Sequence, residues 1–271
     1  MKNRLPDKKI ALLIIIVSLA FFLVMGNYLV GQSFLPYTQA DTEAKVDTTT
    51  RPKTEIKTAE ASLAKTTKQV SDGPLIALTF DDGPSKTVTP VLLNELRKRG
   101  VVVTFFVLGN RAEKYSNIIL EAYQDGNQIA IHGYDHKYKF TTLSDKDLLW
   151  QVDNTEDIVE NITGQRPNAV RPPYGAINIT TAAKIDIPCV LWNVDTRDWA
   201  SRNADKVANH IVSHAKDGSI ILLHDTFSTS VLGAIKAIDI LSAKGYKFVT
   251  IDQLFAAEGV QFVSGTIYPE K

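Results

Sequence analysis

From residue 74 onward, short apolar runs alternate with longer amphipathic stretches. Strand-length runs fall at residues 75–80, 102–108, 128–131, 169–170, 189–194, 219–223 and 247–249. Helical patterns lie between them. Thr89-Pro90 reads as an N-cap followed by Pro at the first helical position, and Gly100 as the stop after Arg99. A second helix is expected within residues 144–161, a third at 204–216 and a fourth at 231–244. Such strand–helix alternation predicts an α/β domain built on a parallel sheet, open or closed into a barrel. No internal repeat is visible.

The chain before residue 74 has a different character. Residues 10–30 carry no charge, and at helical rise they span roughly 31 Å, about the thickness of bilayer hydrocarbon. Lys2, Arg4, Lys8 and Lys9 precede them, and no charge follows until Asp41. This asymmetry predicts a single transmembrane signal anchor, with residues 1–9 cytoplasmic and everything after Val30 outside. The alternative is a cleaved signal peptide, for which Thr38-Gln39-Ala40 is a weak cleavage site. Residues 31–72 are rich in Thr, Lys, Ala and Glu and poor in large apolar residues, so they are expected to form a disordered linker. As a flexible coil it would reach roughly 35 Å. The folded domain is expected at residues 73–257, and residues 258–271 as a final strand or a loose tail.

Hydrophobic residues make up 44% of the chain, enough for one sizeable core. After residue 72 there are 20 basic and 23 acidic residues, which disfavours nucleic acid as a partner. No protein partner is indicated. A single cysteine, Cys189, excludes an intrachain disulfide, and its apolar neighbours predict a buried, inert thiol.

The informative pattern is positional. The unusual polar residues fall just after predicted strands: Asp81-Asp82-Gly83-Pro84, His132-Gly133-Tyr134-Asp135-His136, Arg171-Pro172-Pro173-Tyr174-Gly175, then Asp195, Asp198 and Trp199, then His224-Asp225. In a parallel sheet all strand C-termini share one end, so these clusters converge where α/β folds place their active sites. Taken singly each has a bland reading. Asp81-Asp82 could be a turn before a helix, although a bound cation would resolve the like-charge conflict. Arg171 could form a surface ion pair, His224 could be a satisfied core histidine, and Trp199 could be plain core. His132 and His136, four apart, suit zinc-like metals. His210 and His214 share that spacing, but they lie off the apolar face of Val207, Ala208, Ile211 and Ala215, and near a helix C-terminus, so they are expected on the solvated surface.

Together the five clusters resemble the ordered motifs of the polysaccharide deacetylases, carbohydrate esterase family four or NodB homology domain. The resemblance covers roughly residues 74–257 and implies a distorted (β/α) barrel that hydrolytically removes acetyl groups from glycans. It further implies that Asp82, His132 and His136 bind one divalent metal ion, with Asp81 as catalytic base and Arg171 orienting it. His224 would be the acid, tuned by Asp198. The Tyr174 backbone N–H would bind the oxyanion, and Trp199 and Leu222 would line the acetyl pocket. One departure stands out: the family usually has Ser or Thr at the position of Gly133, where the hydroxyl braces the metal loop. Its loss predicts weaker metal binding and a looser loop.

Two imidazoles and a carboxylate also describe non-haem iron sites. Hydrolysis favours Zn2+, with Co2+ or another divalent ion as a substitute. An anchor and spacer suit a protein of the cell membrane acting on its own wall, hence N-acetylglucosamine of peptidoglycan. Muramic acid, chitin-like oligomers and acetylated xylan are the alternatives. A rival of another class is an inactive glycan-binding wall protein, against which the intact acid, base and ligand set argues. A metalloprotease is disfavoured because Gly133 stands where His-Glu-x-x-His requires glutamate.

Overall fold

The computed structural model describes residues 73–269. The expected anchor at residues 10–30 and the linker at 31–72 lie outside the described residues. Among those described, no helix is long and apolar enough to cross a membrane.

Strand β1 (Leu75–Asp81) is buried along its whole length. It pairs in parallel with β2 (Thr104–Val107) on one side and β6 (Ser219–His224) on the other. β7 (Lys247–Phe248) takes the first residues of β1, below the point where β2 joins at Thr79. Outward from β2 comes β3 (Gln128–Ile131); outward from β6 comes β5 (Val194–Asp195). Parallel bridges from Ile131 to Val170 and from Val170 to Cys189 carry the ladder on to β4 (Cys189–Val190), which also pairs with β8 (Ile267–Tyr268). β4 and β5 are consecutive on one segment, so the staves run round and meet in a distorted barrel.

The two faces of β1 show the strand period of two. Ile76, Leu78 and Phe80 join the larger core with Leu92 and Leu96 of helix α1 (Thr89–Arg99). Leu75 and Ala77 turn the other way, toward Phe106 and Ala130 inside the barrel. Each fully buried side chain of this size contributes roughly 1.5–3 kcal/mol. Helices α2 (Gly109–Lys114) and α3 (Ser116–Gln124) connect β2 to β3, and α4 (Asp145–Thr163) follows β3. The short helices α5 (Ile179–Ala182) and α6 (Asp198–Ser201) lead to α7 (Ala204–His214), which packs on α8 (Ser228–Ala243). That packing is close: a Cβ at Gly233 would lie 2.7 Å from Val207 Cβ. Helix α9 (Ile251–Glu258) covers one end of the barrel core with Leu254 and Phe255.

Several elements differ from the sequence expectation for identifiable reasons. Thr89 is not the N-cap of α1; Val88 is, with no side-chain cap. The Thr89 hydroxyl is committed elsewhere: it donates to the Asp225 carboxylate and accepts from Ser85 N–H. Gly100 does stop the helix, at φ 62°. Of residues 169–170 only Val170 joins the ladder, through isolated bridges, and Pro172, which has no N–H, follows two residues on. The run at 189–194 is broken into β4 and β5, because Arg171 takes the carbonyls of Val190 and Leu191. Helix α4 runs on to Thr163, where Gly164 in the left-handed region ends it. Residues 267–268 form a strand. Cys189 is buried, and burial pushes its thiol up to about 12.

Candidate active site

The barrel delivers its polar groups at the C-terminal ends of its strands. Asp81 closes β1, in register with His224 at the end of β6 and Phe106 of β2. Asp82 follows at φ 72°, a left-handed conformation that a non-glycine residue adopts at some energetic cost. This turn carries its carboxylate toward His132 and His136. The nearest ligand-capable atoms of the three residues lie within 4.8 Å of one another. Asp82 Oδ1 stands 3.5 Å from His132 Nε2 and 3.7 Å from His136 Nε2, too far for hydrogen bonds. Ligands placed tetrahedrally at about 2.1 Å from an ion stand about 3.4 Å apart, so the gaps fit a shared cation. Asp82 Oδ1 is also buried with no hydrogen-bond partner among the described residues. Buried carboxylate oxygens are seldom left so, and a cation would satisfy this one.

The imidazoles are prepared for this role. His132 is buried, and its Nδ1–H donates to the Arg171 carbonyl at 2.6 Å. A carbonyl can only accept, so the contact fixes the tautomer and leaves the Nε2 lone pair toward Asp82. Burial, and then His132, hold His136 below the usual imidazole range against the opposing pull of Asp82. Its neutral form is the one that ligates. Tyr174 O–H donates to the His136 carbonyl at 3.0 Å, and the two rings meet edge-on at 4.2 Å.

The loop carrying both histidines turns at Gly133, φ 82°. No hydroxyl is present there, but a brace is. Gln151 reaches down from α4, and its Oε1 accepts from Tyr134 N–H at 2.7 Å and Asp135 N–H at 3.1 Å. Its Nε2 donates to Asp135 Oδ1 at 3.1 Å. A Cβ at Gly133 would press on Gln151 Oε1 and the Phe140 ring at 3.2 Å. Glycine and glutamine therefore fit as a pair. Sequence reasoning missed Gln151, because its only local signal is a helical position six residues into α4.

Arg171 is fully buried, the largest side chain so enclosed. Its Nη1 donates to Asp81 Oδ1 at 2.8 Å and to Thr79 Oγ1 at 2.7 Å. Nε and Nη2 donate to the carbonyls of Val190 and Leu191. The guanidinium centre lies 4.0 Å from the Phe106 ring centroid and 5.5 Å from that of Trp192. Burial pulls its proton affinity down, and Asp81 opposes that pull. The surface ion-pair reading is thus excluded. With Oδ1 of Asp81 held by Arg171, Oδ2 lies 3.8 Å from His132 Nε2, beside the ion-sized gap.

Across the cleft, Asp198 is completely buried and both its oxygens serve His224. Oδ2 accepts from His224 N–H and Oδ1 pairs with Nδ1, each at 2.9 Å. Burial disfavours the imidazolium. The Asp198 hydrogen bond and charge, with Asp81 and Asp82 behind them, outweigh that effect and push His224 up to about 9. The adjacent Asp225 is not solvated either. Burial pushes it up to about 7, and its carboxylate packs so closely on Gly83 that a Cβ there would lie 2.3 Å from Oδ1.

Asp81, Asp82, His132, His136 and His224 line a cleft of about 410 Å³, with Arg171 and Asp198 supporting them from behind. Tyr174, Trp199 and Leu222 line it, and Trp199 is 49% exposed, which excludes a plain core role. Tyr174 sits at φ 63°, and its backbone N–H has no acceptor among the described residues. Trp192 and Phe227 also line the cleft. Neither was distinguishable from core in the sequence: Trp192 falls within an apolar run, and Phe227 just before a helix. Trp192 packs so tightly on Gly175 that a Cβ would come within 2.7 Å of its ring. His210 and His214 are not brought to the cleft lining.

Asp82, His132 and His136 could together hold a metal ion, with the Asp81 carboxylate and the His224 imidazole lining the same cleft, a donor set of the kind that catalytic metal centres use. The sequence profile of the family described as polysaccharide deacetylase matches residues 68–188. The peptidoglycan-N-acetylglucosamine deacetylase PgdA of Listeria monocytogenes is 39% identical over 200 residues, covering 74% of this chain and 41% of its own. The chain thus spans about two fifths of that relative's length. The structure of the peptidoglycan deacetylase PdaC from Bacillus subtilis superposes with a TM-score of 0.67 at 39% identity, covering 69% of this chain and 93% of that one. A family 4 acetyl xylan esterase from Clostridium thermocellum, solved in complex with a cobalt ion, gives a TM-score of 0.68 at 29% identity, covering 72% and 97%. The chain belongs to the polysaccharide deacetylase family.

Proposed function

We propose that this protein hydrolyses the acetamide of N-acetylglucosamine residues in peptidoglycan, releasing acetate and leaving a glycan with free amines. The observation that carries this reading is the ion-sized Asp82–His132–His136 gap, flanked by Asp81 held on Arg171 and by His224 held on Asp198. Relatives described as peptidoglycan-N-acetylglucosamine deacetylases support the choice of sugar, whereas PdaC, described as a peptidoglycan-N-acetylmuramic acid deacetylase, supports peptidoglycan but not that sugar. Asp82, His132 and His136 would hold a divalent cation in that gap, and when bound it would supply Lewis acidity toward the acetyl carbonyl and toward water. Zinc suits the two nitrogens and one oxygen, with cobalt as a substitute.

The residues of the chain then divide the proton work. Asp81, fixed by Arg171, accepts the proton of the attacking water. The Tyr174 N–H donates to the oxygen that gains charge. His224, protonated at neutral pH, donates to the departing amine, which leaves poorly without that proton. Trp192, Trp199 and Leu222 give the acetyl methyl an apolar seat. The domain acts outside the cell, tethered through residues 10–30; the uncharged run and its basic flank support this. Deleting residues 1–30 should move the protein from the membrane to the soluble fraction, and unchanged fractionation would refute the tether.

Acetate release from N-acetylglucosamine oligomers and purified peptidoglycan, with and without chelator, tests the activity. Release should stop on chelation and return with Zn2+ or Co2+; release that survives exhaustive chelation would exclude the mechanism. The alkaline limb of the rate profile should fall where His224 loses its proton, above the usual imidazole range because Asp198 holds that proton. Asp198→Asn removes the charge that raises His224 and should shift that limb down by about one pH unit or more. A limb unmoved by this change would remove His224 from the role of acid.

A further inference from the structure

Next to the metal loop lies a second groove, of about 480 Å³. One wall is residues 84–87, which continue from Asp82 and Gly83. The other is Asn110, Arg111, Lys114 and Tyr115. Both walls follow strand C-termini, so the groove opens on the same end of the barrel as the cleft. Backbone bonds fix it there. Leu108 N–H donates to Gly83 O, Gly109 N–H to Gly133 O and Asn110 N–H to Tyr134 O, each at 3.0 Å. Ser85 is three residues from Asp82 and so at most about 11 Å from it.

The charge of this groove is unusual for the domain. Lys86, Arg111 and Lys114 line it, and no lining residue is acidic. None of the three forms an ion pair among the described residues, although acids outnumber bases after residue 72. Elsewhere, Arg97 pairs with Glu121 and Asp125, Arg99 with Glu95 and Asp239, and Arg166 with Glu156, Asp157 and Glu160. The half-buried Arg111, whose charge also reaches the buried Asp225 carboxyl, and the exposed Lys86 and Lys114 thus gather positive charge without direct ion pairs in one concave place, where carboxylates are attracted. Ser85, Thr87 and Asn110 add neutral hydrogen-bonding groups.

We propose that this groove is a subsite for the carboxylates of the peptide borne by the sugar next to the one being deacetylated, so that the enzyme prefers peptide-bearing glycan strands. The proposal rests on peptidoglycan being the substrate; chitin and xylan carry no such peptide. The test compares kcat/KM of the full chain on peptidoglycan fragments freed of teichoic acid, either native or with their peptide carboxylates converted to amides. The wild type should favour the native fragment by about tenfold at low salt, and about 0.5 M salt should largely abolish the preference. Lys86→Glu combined with Lys114→Glu should erase the preference; Arg111→Gln provides an independent variant should the first fold poorly. Equal use of both fragments by the wild type, or a preference that survives in the variants, would overturn the subsite. So would a preference seen only when teichoic acid remains attached, since phosphate would then be the ligand. The amidated fragment keeps its acetyl groups, so turnover of it reports the deacetylase reading separately. Absence of acetate from both fragments would overturn that reading and the subsite with it.

Discussion

His132 and His136 stand on a loop at a strand end, whereas His210 and His214 stand one turn apart on α7. The spacing is the same; the surroundings are not. His132 is buried, its Nδ1 is committed to a carbonyl, and its Nε2 is left beside an unpartnered carboxylate oxygen. The helical pair stacks face to face at 4.1 Å, and His214 Nδ1 spends its hydrogen bond on the His210 carbonyl at 2.8 Å. Among the described residues, only Asp82 with His132 and His136 forms a three-residue ligand group. His210 is half-buried rather than fully solvated; burial, then His214, lowers its pKa. A four-residue interval therefore says little about metal binding. A third donor and an unsatisfied oxygen decide it.

The largest effect should come from His132→Ala. Metal content, measured on purified protein, should fall to background, and turnover on the order of 10³-fold or more; a fully loaded variant would remove the distinction between the pairs. A smaller loss is expected from Gln151→Ala, which leaves two loop N–H groups without their acceptor. Competition titration should show metal affinity reduced about 10–100-fold with the fold retained. Affinity equal to wild type would mean that the loop needs no brace. His210→Ala should be nearly silent, changing stability by about 0.5 kcal/mol or less and turnover hardly at all. A loss comparable to that of His132→Ala would show the comparison to be drawn the wrong way.

Much of this was legible in residue order, because a parallel sheet collects its strand ends. Residues 128–131 form a strand with the expected bounds, and the clusters at Asp81, His132, Arg171, Asp198 and His224 do share one cleft or its supports. What escaped depends on contacts between distant segments. Gln151 looks like any polar helix residue until the loop folds beneath it. Thr89 has the composition of an N-cap, but its hydroxyl is drawn to Asp225, 136 positions away. Residues 189–194 read as one strand because nothing local reveals that a buried guanidinium will take two of their carbonyls. Helices α2 and α3 join at Tyr115, a junction that hydrophobic periodicity does not mark.

Strand β8 gives the far end of the chain a stake in the chemistry. Tyr268 offers its carbonyl to Leu191 N–H, and the Leu191 carbonyl in turn receives Arg171. A protein shortened at residue 257 would lose that last stave, bare the edge at Cys189 and Val190, and loosen the shelf on which the guanidinium rests. Such trimming should show as a lower Tm and a less firmly held Asp81.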